Sequence, residues 1–171
     1  MKARIWCQHN NYGLTRDFQV VQPILEACGY EVERVGPNKP AKGKTDIAIH
    51  LEHIFPRNLA LSDFNIAVPN VEWCPGSMLT AMRRCQLVLS KTMDAADCLA
   101  REGIENVMTG WTSPDVYAHD VPREKKMIHL AGRSPLKSTN TLVAAMRILP
   151  DIPLTIYRPL QTAGVPPNVT H

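Results

Sequence analysis

The sequence predicts an α/β protein built around a parallel β-sheet. Short apolar runs of strand length alternate with segments in which apolar residues recur at helical spacing. The strand-like runs are apolar at successive positions, which is typical of strands buried on both faces of a parallel sheet. Hydrophobic residues make up 44% of the 171 residues, so the chain has enough apolar side chains for a substantial core.

Six strands are expected in the first part of the chain, at residues 3–7, 30–35, 47–51, 64–68, 87–89 and 104–108. The first helix should begin with Thr15 as its N-cap and end at Gly29, because threonine favours helix starts and glycine favours helix ends. Its buried face is predicted to consist of Phe18, Val21, Leu25 and Cys28. The sequence therefore starts with a strand, a loop and a helix.

Two further helices are expected in this part of the chain. A short one should include residues 78–82, and another should start at Thr92 or Asp94 and end at Gly103. Together with the six strands, these helices predict one α/β domain over residues 1–110.

A second strand and helix pattern starts at Met127, after an aperiodic segment 111–126 that contains two prolines. It predicts a strand at 127–131, a helix with Leu142, Val143, Met146 and Leu149 at helical spacing, and a strand at 154–157. Residues 166–170 resemble a loop entering another strand. We expect a linker over 111–126 and the incomplete start of a second domain over 127–171. Because one β-α-β unit cannot bury its own faces, we expect the chain to be a fragment of a longer protein.

Composition excludes several classes of function. The formal net charge is only +3, and no dense lysine and arginine run with interleaved aromatics is present, so nucleic acid is a poor candidate partner. The five cysteines form no C-x-x-C pair, which favours reduced thiols in a cytoplasmic protein over disulfides or a zinc site. No apolar segment is long enough to span a bilayer, although peripheral contact with the inner face of a membrane is compatible with this composition.

The loop between the strand 127–131 and its helix is the most informative segment. It contains Arg133 and Lys137, beside a predicted helix N-terminus whose free N–H groups and dipole attract anions. These features predict a site for a phosphate or a diphosphate, and the alternative is an ordinary turn with two solvated charges. A P-loop is excluded because Leu136, and not glycine, precedes Lys137.

Polar side chains also lie at the carboxyl ends of two predicted strands, where parallel sheets place ligands. They are His50, Glu52 and His53 at the third strand, and Asn70, Glu72 and Trp73 after the fourth. A carboxylate beside an aromatic ring suits a sugar, while ordinary loop polarity is the alternative for both groups. A His-x-x-His zinc site is a weak interpretation at a strand end.

Four passages of the sequence carry a resemblance to the N-terminal part of a known enzyme family. They are Asn-Asn-Tyr-Gly at 10–13, Leu-Val-Leu-Ser-Lys-Thr at 87–92 with Gly-Ile at 103–104, Gly-Trp-Thr-Ser-Pro-Asp-Val-Tyr at 110–117, and Gly-Arg-Ser-Pro-Leu-Lys-Ser at 132–138. In this order and spacing the chain resembles the GT-B-fold glycosyltransferases of the large retaining family that includes sucrose synthase. Ser138 departs from the family, which usually has glycine after the lysine.

The resemblance implies a Rossmann-like N-terminal, acceptor-side domain followed by the start of a nucleotide-sugar-binding domain. It implies that Arg133 and Lys137 hold the donor diphosphate and that Gly13 lets the backbone approach the donor. His53 and Glu72 are the candidate catalytic residues, facing the interdomain cleft and contacting the acceptor. No metal or other cofactor is expected, because the two cations neutralise the leaving diphosphate and no D-x-D pattern is present.

The function that the resemblance implies is sugar transfer from a nucleotide-diphosphate donor to a glycan, lipid or small-molecule acceptor. The family's paired glutamates belong further along the second domain, so we expect the fragment alone to be inactive. Two alternatives stay open: an enzyme like a sugar-nucleotide epimerase, and a non-catalytic α/β module that binds a small anion or phosphate.

Overall fold

The computed structural model describes residues 1–10, 13–111, 122, 124–130, 138–157 and 165–170. The chain divides into two compact units, Met1–Val116 and Tyr117–His171. Each unit contains its own parallel sheet, so the predicted α/β class is confirmed. Among the described residues, no helix is both long and apolar enough to cross a membrane.

The first unit is a six-stranded parallel sheet. Its strands are β1 (Lys2–Trp6), β2 (Glu31–Val35), β3 (Thr45–Leu51), β4 (Ser62–Val68), β5 (Leu87–Ser90) and β6 (Val107–Met108). Their order is β2-β1-β3-β4-β5-β6, and every neighbouring pair is parallel. The order of the strands reverses at β1 and β3, and open α/β sheets bind ligands at the carboxyl ends of strands beside such a reversal.

Helices cover both faces of this sheet. They are α1 (Gly13–Ala27), α2 (Pro56–Leu59), α3 (Gly76–Met82) and α4 (Met93–Arg101), and a 3₁₀ helix spans Val71–Trp73. On one face, the apolar side of α1 packs on residues that include Ile5, Ile49 and Ile66. On the other face, Ala67 and Val88 pack in a cluster with residues from the remaining helices. Successive strand residues point to opposite faces, which explains why the strands are apolar at successive positions.

The helix ends correct two predictions and confirm a third. Because α1 already begins at Gly13, Thr15 lies inside the helix and is not its N-cap. Cys28, predicted to be buried, is exposed, since it lies beyond the last helical residue. Thr92 is the N-cap of α4, and its hydroxyl accepts a hydrogen bond from the Ala95 N–H at 3.2 Å.

The second unit contains a three-stranded parallel sheet in the order β7-β8-β9. Its elements are β7 (Met127–His129), α5 (Thr139–Ala145), β8 (Leu154–Ile156) and β9 (Val169–Thr170). Met146, Leu154, Ile156 and Val169 form its buried cluster. Leu149 lies beyond the end of α5 and is 44% exposed, so it does not belong to the predicted apolar face.

Candidate functional site

Several polar residues that directly follow strands lie at the carboxyl edge of the first sheet. Glu52 and His53 directly follow β3, Asn70 lies just beyond β4, and Lys91 directly follows β5. Cys7 directly follows β1, which lies next to β3 at the reversal of strand order. This edge is therefore the candidate site of the first unit.

His50 lies inside β3 and not at the ligand edge where the sequence placed it. It is 0% exposed, its ring stacks on that of Trp6 at a centroid distance of 6.3 Å, and its Nε2 lies 3.0 Å from Asn65 Oδ1. Asn65 Nδ2 donates to the Leu59 carbonyl at 3.0 Å, which fixes Oδ1 as the acceptor facing the ring. His50 is thus protonated on Nε2 and neutral, and burial lowers its pKa. It supports the core and is not free to contact an acceptor.

Glu52 and His53 form a tight turn at the carboxyl end of β3. Glu52 has φ of 65°, in the left-handed region, and the His53 N–H donates to the Leu51 carbonyl at 2.8 Å. The Glu52 N–H donates to the Val68 carbonyl at 3.0 Å, so the turn is held against the end of β4. The side chain of Glu52 is 16% exposed and that of His53 is 43% exposed, with 3.9 Å between Glu52 Oε2 and His53 Nε2.

Two thiols lie within electrostatic range of Glu52, one from each side of β3. Burial raises the pKa of Cys7 to about 11. The Arg34 cation lowers this pKa slightly, while the carboxylates of Asp17 and Glu52 raise it. Burial likewise raises the pKa of Cys74 to about 11, assisted by the carboxylates of Glu72 and Glu52. Both thiols are therefore protonated at neutral pH, and neither adds a negative charge beside Glu52.

Glu72 and Trp73 lie in the 3₁₀ helix that follows β4. Glu72 is exposed and Trp73 is 45% exposed, so both side chains are accessible at this edge. Among the described residues, no hydrogen bond or ion pair joins Glu72 to His53. The catalytic pair proposed from sequence thus consists of two accessible groups on the loops of neighbouring strands.

The sequence pattern did not predict a hydrogen-bond network that surrounds Lys91. Lys91 Nζ donates to Asp17 Oδ2 at 2.5 Å and to Asn70 Oδ1 at 3.1 Å, and it lies 5.1 Å from the centre of the Trp111 ring. The Trp111 indole N–H donates to Asp17 Oδ1 at 3.1 Å. This network ties α1 to the ends of β4 and β5. The sequence feature that could have indicated this network is Lys91 itself, a cation directly after a predicted strand.

The donor-side predictions concern three residues. Gly13 is the first residue of α1, and a Cβ atom there would meet nothing within 4 Å, so the space beside its backbone is open. Arg133 and Lys137 lie outside the described residues. Ser138 is the N-cap of α5 and has φ of 52° and ψ of 31°, the left-handed conformation that glycine adopts most easily.

The opposite edge of the sheet contains a cleft of about 400 Å³ whose polar lining includes Gln86 and Asn106. The side chain of Gln86 accepts from the Asn65 N–H, and Asn106 donates to the carbonyls of Ala96 and Ile104. Because these polar groups are engaged within the protein, they have less capacity to bind a ligand than Glu52 and His53.

No group of three or more His, Cys, Asp or Glu side chains suited to a metal occurs in the described part of the chain. The half-buried carboxylate and imidazole at the carboxyl edge can accept hydrogen bonds from hydroxyl groups, and the imidazole can accept a proton. No protein-family model matches the sequence, and no curated protein matches it with significant similarity.

Proposed function

We propose that the chain belongs to a GT-B-type glycosyltransferase, which moves a sugar from a nucleotide-diphosphate donor to a hydroxyl of a glycan, lipid or small-molecule acceptor. The observation that carries this proposal is the pair of Glu52 and His53 at the reversal of strand order in the parallel sheet. The order of the four family-like passages supports it further.

On the acceptor side, His53 acts as the base that accepts the proton of the attacking hydroxyl, and Glu72 orients the acceptor. An imidazole suits this role because its ordinary pKa lies close to neutral pH. The exposure of His53 and Glu72 is consistent with contact to a ligand, and Trp73 offers an accessible ring for stacking on a sugar.

On the donor side, Arg133 and Lys137 hold the diphosphate, and Gly13 borders the donor. Negative charge grows on the leaving phosphate oxygens during transfer, so fixed cations lower the barrier. Arginine contributes a planar fork of donors and lysine a point charge. The left-handed backbone at Ser138 supports this assignment, because the family places glycine at that position.

The proposed reaction needs no metal, since the two cations neutralise the leaving group. Its partners are a nucleotide sugar and a glycan or lipid-linked acceptor, without nucleic acid. The proposed location is the cytoplasm, with contact at the inner membrane face if the acceptor is a lipid.

Titration calorimetry with nucleoside diphosphates tests the proposal. The diphosphates of uridine, guanosine and adenosine are titrated into the wild-type chain and into Arg133→Ala and Lys137→Ala. Each substitution should weaken binding of the preferred diphosphate by about tenfold or more, since removing one member of a charged hydrogen-bonded pair costs at least about 1.4 kcal/mol when it is desolvated. Binding of the bare nucleoside should change little.

The control is Lys125→Ala, which removes an exposed cation from the same unit. Equal losses for nucleoside and diphosphate would indicate a folding defect and not a lost phosphate contact. Pyrophosphate that binds as tightly as every nucleoside diphosphate would favour the anion-binding module, and no diphosphate binding at all would contradict the proposal.

A further inference from the structure

Glu52 adopts a backbone conformation that glutamate rarely takes. Its φ of 65° brings Cβ close to the backbone, a steric penalty that glycine does not have. The turn is nevertheless closed by two backbone hydrogen bonds, from Glu52 to Val68 and from His53 to Leu51. The conformation is thus imposed by the ends of β3 and β4, and it fixes where the Glu52 side chain lies.

The Glu52 side chain is only partly covered by the rest of the protein. It is only 16% exposed, and the His53 imidazole lies near it, with 3.9 Å between Glu52 Oε2 and His53 Nε2. No hydrogen bond from the described part of the chain reaches its carboxylate. Its oxygens are not among the fully buried, unpartnered side-chain atoms of the described residues, so they remain accessible to solvent and to a ligand. One residue therefore combines an unfavourable backbone with an accessible carboxylate that the described residues do not hydrogen-bond, at the edge where parallel sheets bind ligands.

We infer that Glu52 is a specificity-determining residue of the acceptor site, whose carboxylate accepts hydrogen bonds from two neighbouring hydroxyls of an uncharged sugar ring. This inference rests on the proposed function and names the class of acceptor. An ionised carboxylate only accepts hydrogen bonds, and its two oxygens can serve two adjacent O–H donors. Such charge-assisted bonds are strong where water is largely excluded.

The surroundings of Glu52 favour an uncharged ligand over an acidic one. The neighbouring Cys7 and Cys74 thiols are protonated, and the nearby cation Lys91 is already bonded to Asp17. An acidic sugar would bring a second carboxylate towards Glu52, where the two like charges would repel each other. Glu52 thus holds the acceptor ring, and His53 on the same turn remains available for its reacting hydroxyl.

Two substitutions and a matched control separate binding from structure. Glu52→Gln keeps the size of the side chain and removes its charge, while Glu52→Gly also removes the steric penalty at φ of 65°. The control is Glu31→Gln, an exposed glutamate at the start of β2, at the opposite edge of the sheet. The probes are the methyl glycosides of glucose, galactose and mannose, together with methyl glucuronide, titrated into the ¹⁵N-labelled protein.

We expect wild type to bind at least one neutral glycoside more tightly than the glucuronide. Glu52→Gln and Glu52→Gly should each weaken that binding by about tenfold, the effect of losing a hydrogen bond to a charged group. Glu31→Gln should leave it unchanged. Glu52→Gly should also raise the melting temperature by about 1–2 °C, because the relieved backbone outweighs the greater freedom of glycine in the unfolded chain.

Undiminished glycoside binding in Glu52→Gln overturns the inference, as does tighter binding of the glucuronide or no glycoside binding by wild type. A lower melting temperature for Glu52→Gly would overturn it too, since Glu52 would then support the fold. Nucleoside diphosphate titration of the same variants separates the two proposals. Glycoside binding that depends on Glu52, without diphosphate binding, would defeat only the glycosyltransferase proposal.

Discussion

Two polar regions of the first unit differ in how their polar atoms are satisfied. The first is a buried layer on one face of the sheet, formed by Arg4, Trp6, His50 and Asn65. There the Arg4 guanidinium, in a residue that is 1% exposed, donates to Glu33 at 2.5 Å and to the Lys42 carbonyl at 3.0 Å. In the described part of the chain, the buried side-chain polar atoms without a partner are Trp6 Nε1 and His50 Nδ1, both in this layer.

The second region is the carboxyl edge, formed by Glu52, His53 and Glu72. Its side chains are partly buried or exposed, and the closest approach between two of them is the 3.9 Å separation of Glu52 and His53. A polar group that the protein itself satisfies contributes to structure, whereas one left unsatisfied near the surface is available to a ligand. Changes in the buried layer should therefore alter stability, and changes at the carboxyl edge should alter binding.

The largest expected effect comes from Asn65→Ala in the buried layer. The Asn65 amide accepts from Ser62 Oγ at 2.8 Å and from His50 Nε2 at 3.0 Å, and it donates to the Leu59 carbonyl. Removing it leaves buried groups unpaired and should lower the free energy of unfolding by about 3 kcal/mol, measured by urea denaturation.

Asn38→Ala is the matched control, since Asn38 is exposed and accepts from exposed Arg57 at 3.1 Å. It should change the free energy of unfolding by less than about 0.5 kcal/mol. If Asn65→Ala and Asn38→Ala lowered the free energy of unfolding by similar amounts, the buried hydrogen bonds would contribute no more to stability than exposed ones.

A smaller effect is expected from the ionisation of His50. Burial lowers its pKa below the ordinary value of 6.5, so the unfolded chain binds more protons than the folded chain between the folded pKa and 6.5. The contribution of neutral His50 to stability is complete above about pH 6.5 and is lost as the pH falls through this window. The free energy of unfolding, measured against pH, should decline there.

His50→Gln is the variant that isolates this effect, because glutamine can still donate a hydrogen bond to Asn65 and does not titrate. Its free energy of unfolding should depend less on pH below 6.5 than that of wild type. Identical pH profiles would show that the other histidines or the carboxylates account for the decline.

The contrast between the two regions also shows what the sequence could predict. The carboxyl ends of β3 and β4 were predicted correctly, although both strands begin two residues earlier than predicted. Thr92, one of the two predicted starts, is the cap of α4. Apolar runs and caps are local signals. The four-residue helix α2 and the 3₁₀ helix are too short to show a period. Their positions depend on packing against the sheet.

The site residues were harder to predict, because strand register and tertiary contacts decide their roles. His50 and His53 are three positions apart, yet one lies in the core against Trp6 and the other lies on the turn beyond β3. The left-handed backbone of Glu52 has no local signal, because glutamate does not favour it and the ends of β3 and β4 impose it. Whether Glu72 and His53 act together stays a prediction.

The smallest expected effect concerns Ser138, which shares the left-handed conformation of Glu52 in the other unit. Ser138 is the N-cap of α5 but its side chain makes no capping hydrogen bond, so serine has no evident advantage there. Ser138→Gly should remove a steric penalty of about 1 kcal/mol, partly offset by the greater freedom of glycine in the unfolded chain. The net gain in the free energy of unfolding should be about 0.5 kcal/mol, measured by urea denaturation.

Ser138→Gly also serves as a control for Glu52→Gly. Both substitutions place glycine at a left-handed position, so both should stabilise the protein. Only Glu52→Gly also removes a group assigned to the ligand, so glycoside binding should fall in that variant and persist in Ser138→Gly. A loss of glycoside binding in both variants would mean that backbone relaxation, and not the Glu52 carboxylate, controls the site.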